Sequence, residues 1–145
     1  MPAISRCCRP GRTTSRRSFP TGAPLNVISY GENYYKGGMD ACKSVHAEDQ
    51  AIRKLPITDN KRMKRVDLLV IRVNRNGSFG NSKPCLHCIW LLSQKLPERG
   101  YSIGRVYFSN AMGQIVMCKM HDLVEDDTPH ISKYYKDRNY NPRKQ

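Results

Sequence analysis

The sequence predicts a layered α/β domain, because segments with strand-like patterning alternate with segments that have helical spacing. The chain has 145 residues, which is enough for one domain with one hydrophobic core. A short link at residues 110–114 joins the last two predicted strands. A parallel crossover needs about a dozen residues, so these two strands are predicted to pair antiparallel.

The first predicted elements follow a proline-rich stretch. Residues 1–24 contain four prolines together with glycine and serine, and they are predicted to form an extended or disordered arm. Leu25 to Tyr30 alternates apolar and polar residues, which predicts a strand. Ser44 is a suitable cap for a helix that runs to Leu55 and stops at Pro56.

The middle of the chain predicts a buried strand and a second helix. Val66 to Val73 is a run of Leu, Val and Ile with few polar interruptions, which is typical of a strand buried on both faces. Asn76-Gly77 marks a turn. The apolar residues between Cys85 and Leu96 follow helical spacing, and Pro97 is predicted to end this helix.

Two more strands and a last helix complete the predicted domain. The strands are Gly104 to Ser109 and Ile115 to Cys118. Thr128-Pro129 has the residues of a helix cap and first helical position. We place the domain at residues 25–132 and a basic C-terminal tail at residues 133–145.

The net charge of +13 is concentrated at the two ends of the chain. Residues 1–24 contain five arginines and no acidic residue, and residues 133–145 contain five basic residues and one acidic residue. The remaining 15 basic and 11 acidic residues give the predicted domain a net charge of +4. Basic ends attract polyanions such as nucleic acid. Solubilising tails would show the same composition, and an organelle transit peptide is an alternative that the prolines disfavour.

The cysteines and the hydropathy indicate an intracellular, soluble protein. No apolar run reaches the roughly 18 residues of a membrane span, so no membrane association is expected. The N-terminus lacks the apolar stretch of a secretory signal, so we expect a cytoplasmic or nuclear location, with organelle import as an alternative. Six cysteines in a reducing compartment favour metal binding over disulfides.

Two short motifs supply the ligands for a metal ion. They are His46-Ala47-Glu48 and, further along the chain, Pro84-Cys85-Leu86-His87-Cys88. His46, Cys85 and Cys88 offer one imidazole and two thiolates, which suit a tetrahedral zinc site with one position left for water. Both motifs lie at predicted helix starts, where unpaired N–H groups and the helix dipole favour thiolates.

Glu48 is the candidate catalytic residue beside these ligands. Zinc lowers the pKa of a bound water to about 7, and a nearby carboxylate can move its proton. His87 is an alternative fourth ligand that would close the site as a structural one. It lies between Cys85 and Cys88 on the predicted helix, so it should point elsewhere.

The chain resembles the cytidine deaminase-like superfamily at these residues, since H-x-E followed by P-C-x-x-C is typical of zinc-dependent deaminases. The resemblance covers roughly residues 25–120. It implies a mixed sheet of four to five strands with the zinc-bearing helices on one face, and hydrolytic deamination of a cytosine or adenine base. It also implies that Glu48 shuttles protons, that Asn33 contacts the substrate sugar, and that the backbone of Ala47 orients the base.

Three functions follow from this resemblance. The antiparallel final pair is similar to that of free-nucleoside cytidine deaminases, which favours cytidine, deoxycytidine or a nucleotide as the substrate. The basic tails favour a DNA or RNA deaminase instead. The resemblance implies a helix and a first strand ahead of the predicted strand from Leu25 to Tyr30, but only the proline- and arginine-rich arm stands there. This third observation favours a deaminase-derived component of a larger assembly, and homo-oligomers are expected as well.

Overall fold

The computed structural model describes residues 26–35, 44–59 and 61–139 of the chain. The predicted arm at residues 1–24 and the end of the predicted tail, residues 140–145, lie outside the described residues. The strands are β1 (Tyr34–Tyr35), β2 (Ser44–Val45), β3 (Lys64–Val70), β4 (Arg72–Val73), β5 (Phe79–Gly80), β6 (Tyr101–Ser109) and β7 (Ile115–Lys119). The helices are α1 (Ala47–Lys54), α2 (Leu86–Trp90), α3 (Leu96–Glu98), α4 (Met120–Val124) and α5 (Lys133–Lys136), and a π-helical turn (Leu91–Lys95) joins α2 to α3.

A mixed sheet of three strands forms the centre of this α/β structure. The strand order is β3-β6-β7, with β3 parallel to β6 and β6 antiparallel to β7. The antiparallel final pair that the short link predicts is therefore confirmed. The link closes as a tight turn, in which the Asn110 N–H donates to the Gln114 carbonyl and Gly113 has a φ of 74°.

The expectation of four to five strands in this sheet is wrong for the described part of the chain, where the sheet has three. The predicted strand from Leu25 to Tyr30 accounts for one of the differences, because residues 26–30 form no strand. This segment lies against α1 instead, where the Ser29 hydroxyl donates to the Ala51 carbonyl over 2.7 Å. Gly31 follows at a close approach, since a Cβ there would overlap the Ala47 carbonyl oxygen.

The predicted strand from Val66 to Val73 is divided in two and is buried on one face only. Its first part is β3, in which Asp67 and Leu69 face outward. Its last two residues form β4, which pairs with β5 in a hairpin around Asn76-Gly77. The apolar run predicts burial on both faces, but the described helices cover a single face of the sheet.

Two connected apolar clusters form the core on that covered face. One joins α1, the π-helical turn and the start of β6 through Ile52, Leu55, Leu91, Leu92, Leu96 and Tyr101. The other joins α2 and α4 to β6 and β7 through Ile89, Val106, Phe108, Cys118 and Leu123. Both helices that carry the predicted metal ligands therefore pack on the same face of the sheet.

The helix boundaries differ from the predicted ones for identifiable reasons. Ser44 belongs to β2 rather than capping α1, which begins at Ala47. The helical chain continues past Pro97 to Glu98. The π-helical turn precedes this proline, with the Leu96 N–H bonded to the Leu91 carbonyl five residues back. A π-helical turn is wider than an α-helical one, so it accommodates Pro97, which has no N–H to donate and whose ring crowds the preceding turn.

The last helix begins later than Thr128-Pro129. It is α5, with Ser132 as its cap. The Thr128 N–H donates instead to the Asp126 carboxylate, and the His130 carbonyl accepts the Leu86 N–H over 2.7 Å. These bonds hold the bent segment 126–130 against the start of α2. None of the described helices is both long and apolar enough to span a membrane.

We predict that Leu96→Ala lowers the free energy of unfolding by about 3 kcal/mol, because it leaves a cavity in the core. Leu96 is 1% exposed, whereas Leu69, on the outer face of β3, is 45% exposed. Leu69→Ala is the matched control and should change the free energy of unfolding by under about 0.5 kcal/mol. Urea unfolding of both variants tests this, and an equal loss at Leu69 would contradict the one-sided core.

Candidate metal and catalytic site

Three predicted ligands meet in one cluster. The Nδ1 atom of His46 lies 3.2 Å from Sγ of Cys88 and 3.4 Å from Sγ of Cys85. All three ligand atoms lie within 4.8 Å of one another. Tetrahedral coordination with bonds of about 2.1 Å to nitrogen and 2.3 Å to sulfur places such donors roughly 3.6 Å apart. The donor set therefore fits a metal ion with only small adjustments.

The starts of two helices bring these ligands together. His46 and Cys85 are the residues immediately before α1 and α2, and both have an extended backbone, with ψ of 153° and 165°. Cys88 follows one turn into α2 and is completely buried. Residues three apart on a helix share a side, so Cys88 faces the same space as Cys85.

A hydrogen bond couples the two thiols and changes the pKa of each in opposite directions. The Cys88 thiol hydrogen-bonds to the Cys85 sulfur, which lowers the pKa of Cys85 although burial opposes this. The same hydrogen bond raises the pKa of Cys88, and burial adds to the effect. A divalent cation deprotonates thiols that coordinate it, so binding would turn this pair into two thiolates.

Glu48 is a buried carboxyl beside the cluster. It lies in the first turn of α1, two residues after His46, and is 7% exposed. Burial raises the pKa of Glu48, and the charge of Cys85 acts in the same direction. A raised pKa makes a carboxylate a better proton acceptor.

The imidazole of His46 is also affected by the thiols. Its pKa is raised, chiefly by the hydrogen bond to Cys85, although partial burial opposes the charged form. Deprotonation of His46 is needed for metal coordination, so proton and metal compete at this nitrogen.

Asn33 and Ala47 are connected directly. The Asn33 side-chain oxygen accepts the Ala47 N–H over 2.7 Å, which is the first N–H of α1. This bond caps the helix from a loop and places an exposed amide at the edge of the metal cluster. The predicted contacts of both residues with a substrate stay predictions.

His87 lies apart from the metal cluster. Its ring centroid is 4.4 Å from that of Tyr135 in α5 and 6.1 Å from that of Trp90. Within residues 26–35, 44–59 and 61–139, the ligand group consists of His46, Cys85 and Cys88 only. The expectation that His87 points elsewhere is confirmed, and the first residues of the predicted tail contact the domain through Tyr135.

A buried ion pair that the sequence analysis missed supports the cysteine loop. Lys83, just before Pro84, donates to the Asp126 carboxylate over 2.6 Å, and the Asp126 side chain is only 2% exposed. Burial alone would raise the pKa of Asp126, but Lys83 and the Thr128 N–H bind the carboxylate and lower it. The acidic run at residues 125–127 is the only sequence signal, and it does not identify a partner 43 residues away.

Comparison with known proteins finds no relative of this chain. No family model, curated protein or solved structure matches the chain. The chemistry of the site must therefore be inferred from its donor set, distances and burial.

We predict that Asp126→Asn destabilises the protein by about 3 kcal/mol at pH 7, since it removes the buried charge that pairs with Lys83. The stabilisation that the Asp126 carboxylate gives the wild type should be complete above the pKa of an unfolded aspartate, about 3.9. It should be lost as the pH falls through the lower pKa of Asp126 in the folded protein. Urea unfolding between pH 3 and pH 7 measures both trends. Glu98→Gln, which removes an exposed pair with Lys95, is the control and should cost under about 0.5 kcal/mol.

Proposed function

We propose that this protein is a zinc-dependent deaminase that hydrolyses the exocyclic amino group of a cytosine-type base in a nucleoside or nucleotide. The observation that carries the proposal is the meeting of His46, Cys85 and Cys88 within 4.8 Å, with the buried carboxyl of Glu48 beside them. This combination agrees with the ligand and proton-shuttle pattern of zinc deaminases.

Zinc is the metal that this donor set favours. Thiolate and imidazole ligands suit zinc, whereas magnesium and calcium prefer oxygen. Three protein ligands are typical of catalytic zinc, and four are typical of structural zinc. The contact of the His87 ring with Tyr135, away from the cluster, supports the three-ligand form.

Glu48 would perform the proton transfers of the reaction. Zinc, when bound, supplies a nucleophile at neutral pH by acidifying a water molecule. Glu48 would accept the proton of that water and pass it to the ring nitrogen and then to the leaving amine. Burial raises the pKa of Glu48, which makes the carboxylate a better acceptor for the proton of the water.

Asn33 and Ala47 would position the substrate at the edge of the site. The Asn33 oxygen is held by the Ala47 N–H, so the amide nitrogen is the atom directed to other partners. A ribose or deoxyribose hydroxyl is a suitable acceptor for this donor. The backbone of Ala47, in the first turn of α1, would orient the base.

A DNA or RNA deaminase is the second candidate. The net charge of +13, with most of the excess at the two ends of the chain, favours a polymeric substrate over a neutral nucleoside. A screen of cytidine, deoxycytidine, their monophosphates and single-stranded DNA and RNA separates the two candidates. Bound zinc without turnover on any of these substrates would favour a non-catalytic assembly component.

We predict that Glu48→Gln lowers the deamination rate by about 10²–10⁴-fold, because the proton shuttle is lost while the shape of the site is kept. Zinc content, measured by mass spectrometry of metals, should stay at one per chain. Glu32→Gln, at an exposed carboxyl in the loop before α1, is the control and should keep both properties. Unchanged turnover of Glu48→Gln would refute the assigned role.

We predict that His46→Ala and Cys85→Ser each reduce zinc below one equivalent per chain, because two remaining ligands bind the ion much more weakly. His121→Ala, at an exposed histidine in α4, should bind zinc as the wild type does. Zinc affinity should also fall as the pH is lowered, since protons compete for the same atoms. Equal zinc content in His46→Ala and His121→Ala would show that the metal binds elsewhere.

A further inference from the structure

The outer face of the central sheet carries a bulge that redirects a basic side chain. The pairing of β3 with β6 shifts by one residue, so that Asp67 lies opposite both Gly104 and Arg105. The Arg105 N–H donates to the Asp67 carboxylate over 2.9 Å. Bulges often redirect a side chain near a functional site. Here the bulge places Arg105 on the face that α1 and α2 do not cover.

A shallow cavity of about 330 Å³ lies at this bulge and is lined by Arg65, Asp67 and Arg105. Gly104 makes room for it, since a Cβ at that position would overlap Nε of Arg65 and lie 2.8 Å from the Asp67 carboxylate. The Arg65 guanidinium therefore lies across the backbone of β6. Any side chain at position 104 would displace it.

Lys119 extends the basic row onto the third strand. It is the direct cross-strand partner of Arg105, and both side chains are exposed. In the part of the chain that the structure describes, neither these two residues nor Arg65 has a carboxylate within ion-pair distance. Like charges opposite each other destabilise a sheet, and a bound anion would reverse that effect.

Apolar side chains continue the same face beyond the basic row. Leu69 follows Asp67 at the outward-facing spacing of β3, and Ile115 occupies the equivalent side of β7. They are 45% and 37% exposed, whereas Tyr107, in register with Leu69 on the strand between them, is buried and offers little surface. Phosphates at the cations and bases against the apolar residues would match this arrangement.

We propose that this outer face, defined by Arg65, Arg105, Lys119, Leu69 and Ile115, binds single-stranded nucleic acid. It is a docking surface on the opposite side of the sheet from the metal cluster, and it does not depend on the proposed deaminase activity. Arginine forks suit phosphate groups, and the adjoining apolar surface suits unpaired bases better than it suits a purely acidic peptide.

Charge disfavours the other occupants of this face. Residues 1–24 of the chain carry five arginines and no acidic residue, so the basic row would repel them. Pairing of two copies through the same face would bring two basic rows together. A polyanion is the partner whose charge complements the surface.

The test compares two triple variants of the full chain. Arg65→Ala/Arg105→Ala/Lys119→Ala removes the basic row, and Lys61→Ala/Arg75→Ala/Lys133→Ala removes three exposed charges elsewhere. Binding of fluorescent single-stranded DNA and RNA oligonucleotides is measured by anisotropy over a series of salt concentrations. Three lost phosphate contacts should lower the salt slope by about 2 and weaken binding roughly 100-fold at 0.1 M salt. The second variant should keep more than a tenth of the wild-type affinity.

Several results would overturn the proposal. Equal weakening by the two triple variants would mean that net charge alone attracts nucleic acid. Poly-glutamate bound as tightly as the oligonucleotides would favour an acidic protein partner, and a dimer that only the first variant dissociates would favour a second copy. If the first variant unfolds, Arg65→Gln/Lys119→Gln leaves the bulge intact and should lower the slope by about 1.4.

Discussion

The packing of α1 and the helical segment after α2 against one face of the sheet is the constraint on which the rest depends. Ile52 and Leu55 of α1 meet Leu91 and Leu92 in a common apolar cluster. This contact fixes the distance between the two helix starts, where His46 and Cys85 lie. Burial of apolar side chains some distance from the candidate ligands thus helps to place them.

The same burial gives Glu48 its chemical character. A carboxyl in the first turn of an exposed helix would be solvated and fully ionised. Here the turn faces the second helix start, and burial raises the pKa of Glu48. Burying an ionisable group is unfavourable for folding unless other groups compensate for the lost solvation. The position of Glu48 therefore costs folding stability.

Local chemistry in the sequence predicts the site better than it predicts the sheet. Ligand spacing within a helical turn is a short-range property, and so is the link length that specifies the antiparallel final pair. The pattern at Leu25–Tyr30 fails because alternating residues suit a segment against a helix as well as a strand. The prediction of a strand buried on both faces fails for β3, because no described helix packs on its outer face. The pairing of Lys83 with Asp126 depends on tertiary contact, which no local pattern encodes.

The contact between the cysteine loop and residues 126–130 has a consequence for synthesis of the chain. When Cys88 is added to the growing chain, all three candidate ligands have been synthesised and residues 126–130 have not. The first N–H of α2 still lacks the His130 carbonyl, and Lys83 still lacks Asp126. A contact between distant segments can form only after the later segment has been made. The loop that carries Cys85 and Cys88 therefore reaches its supported conformation only after residues 126–130 have been synthesised.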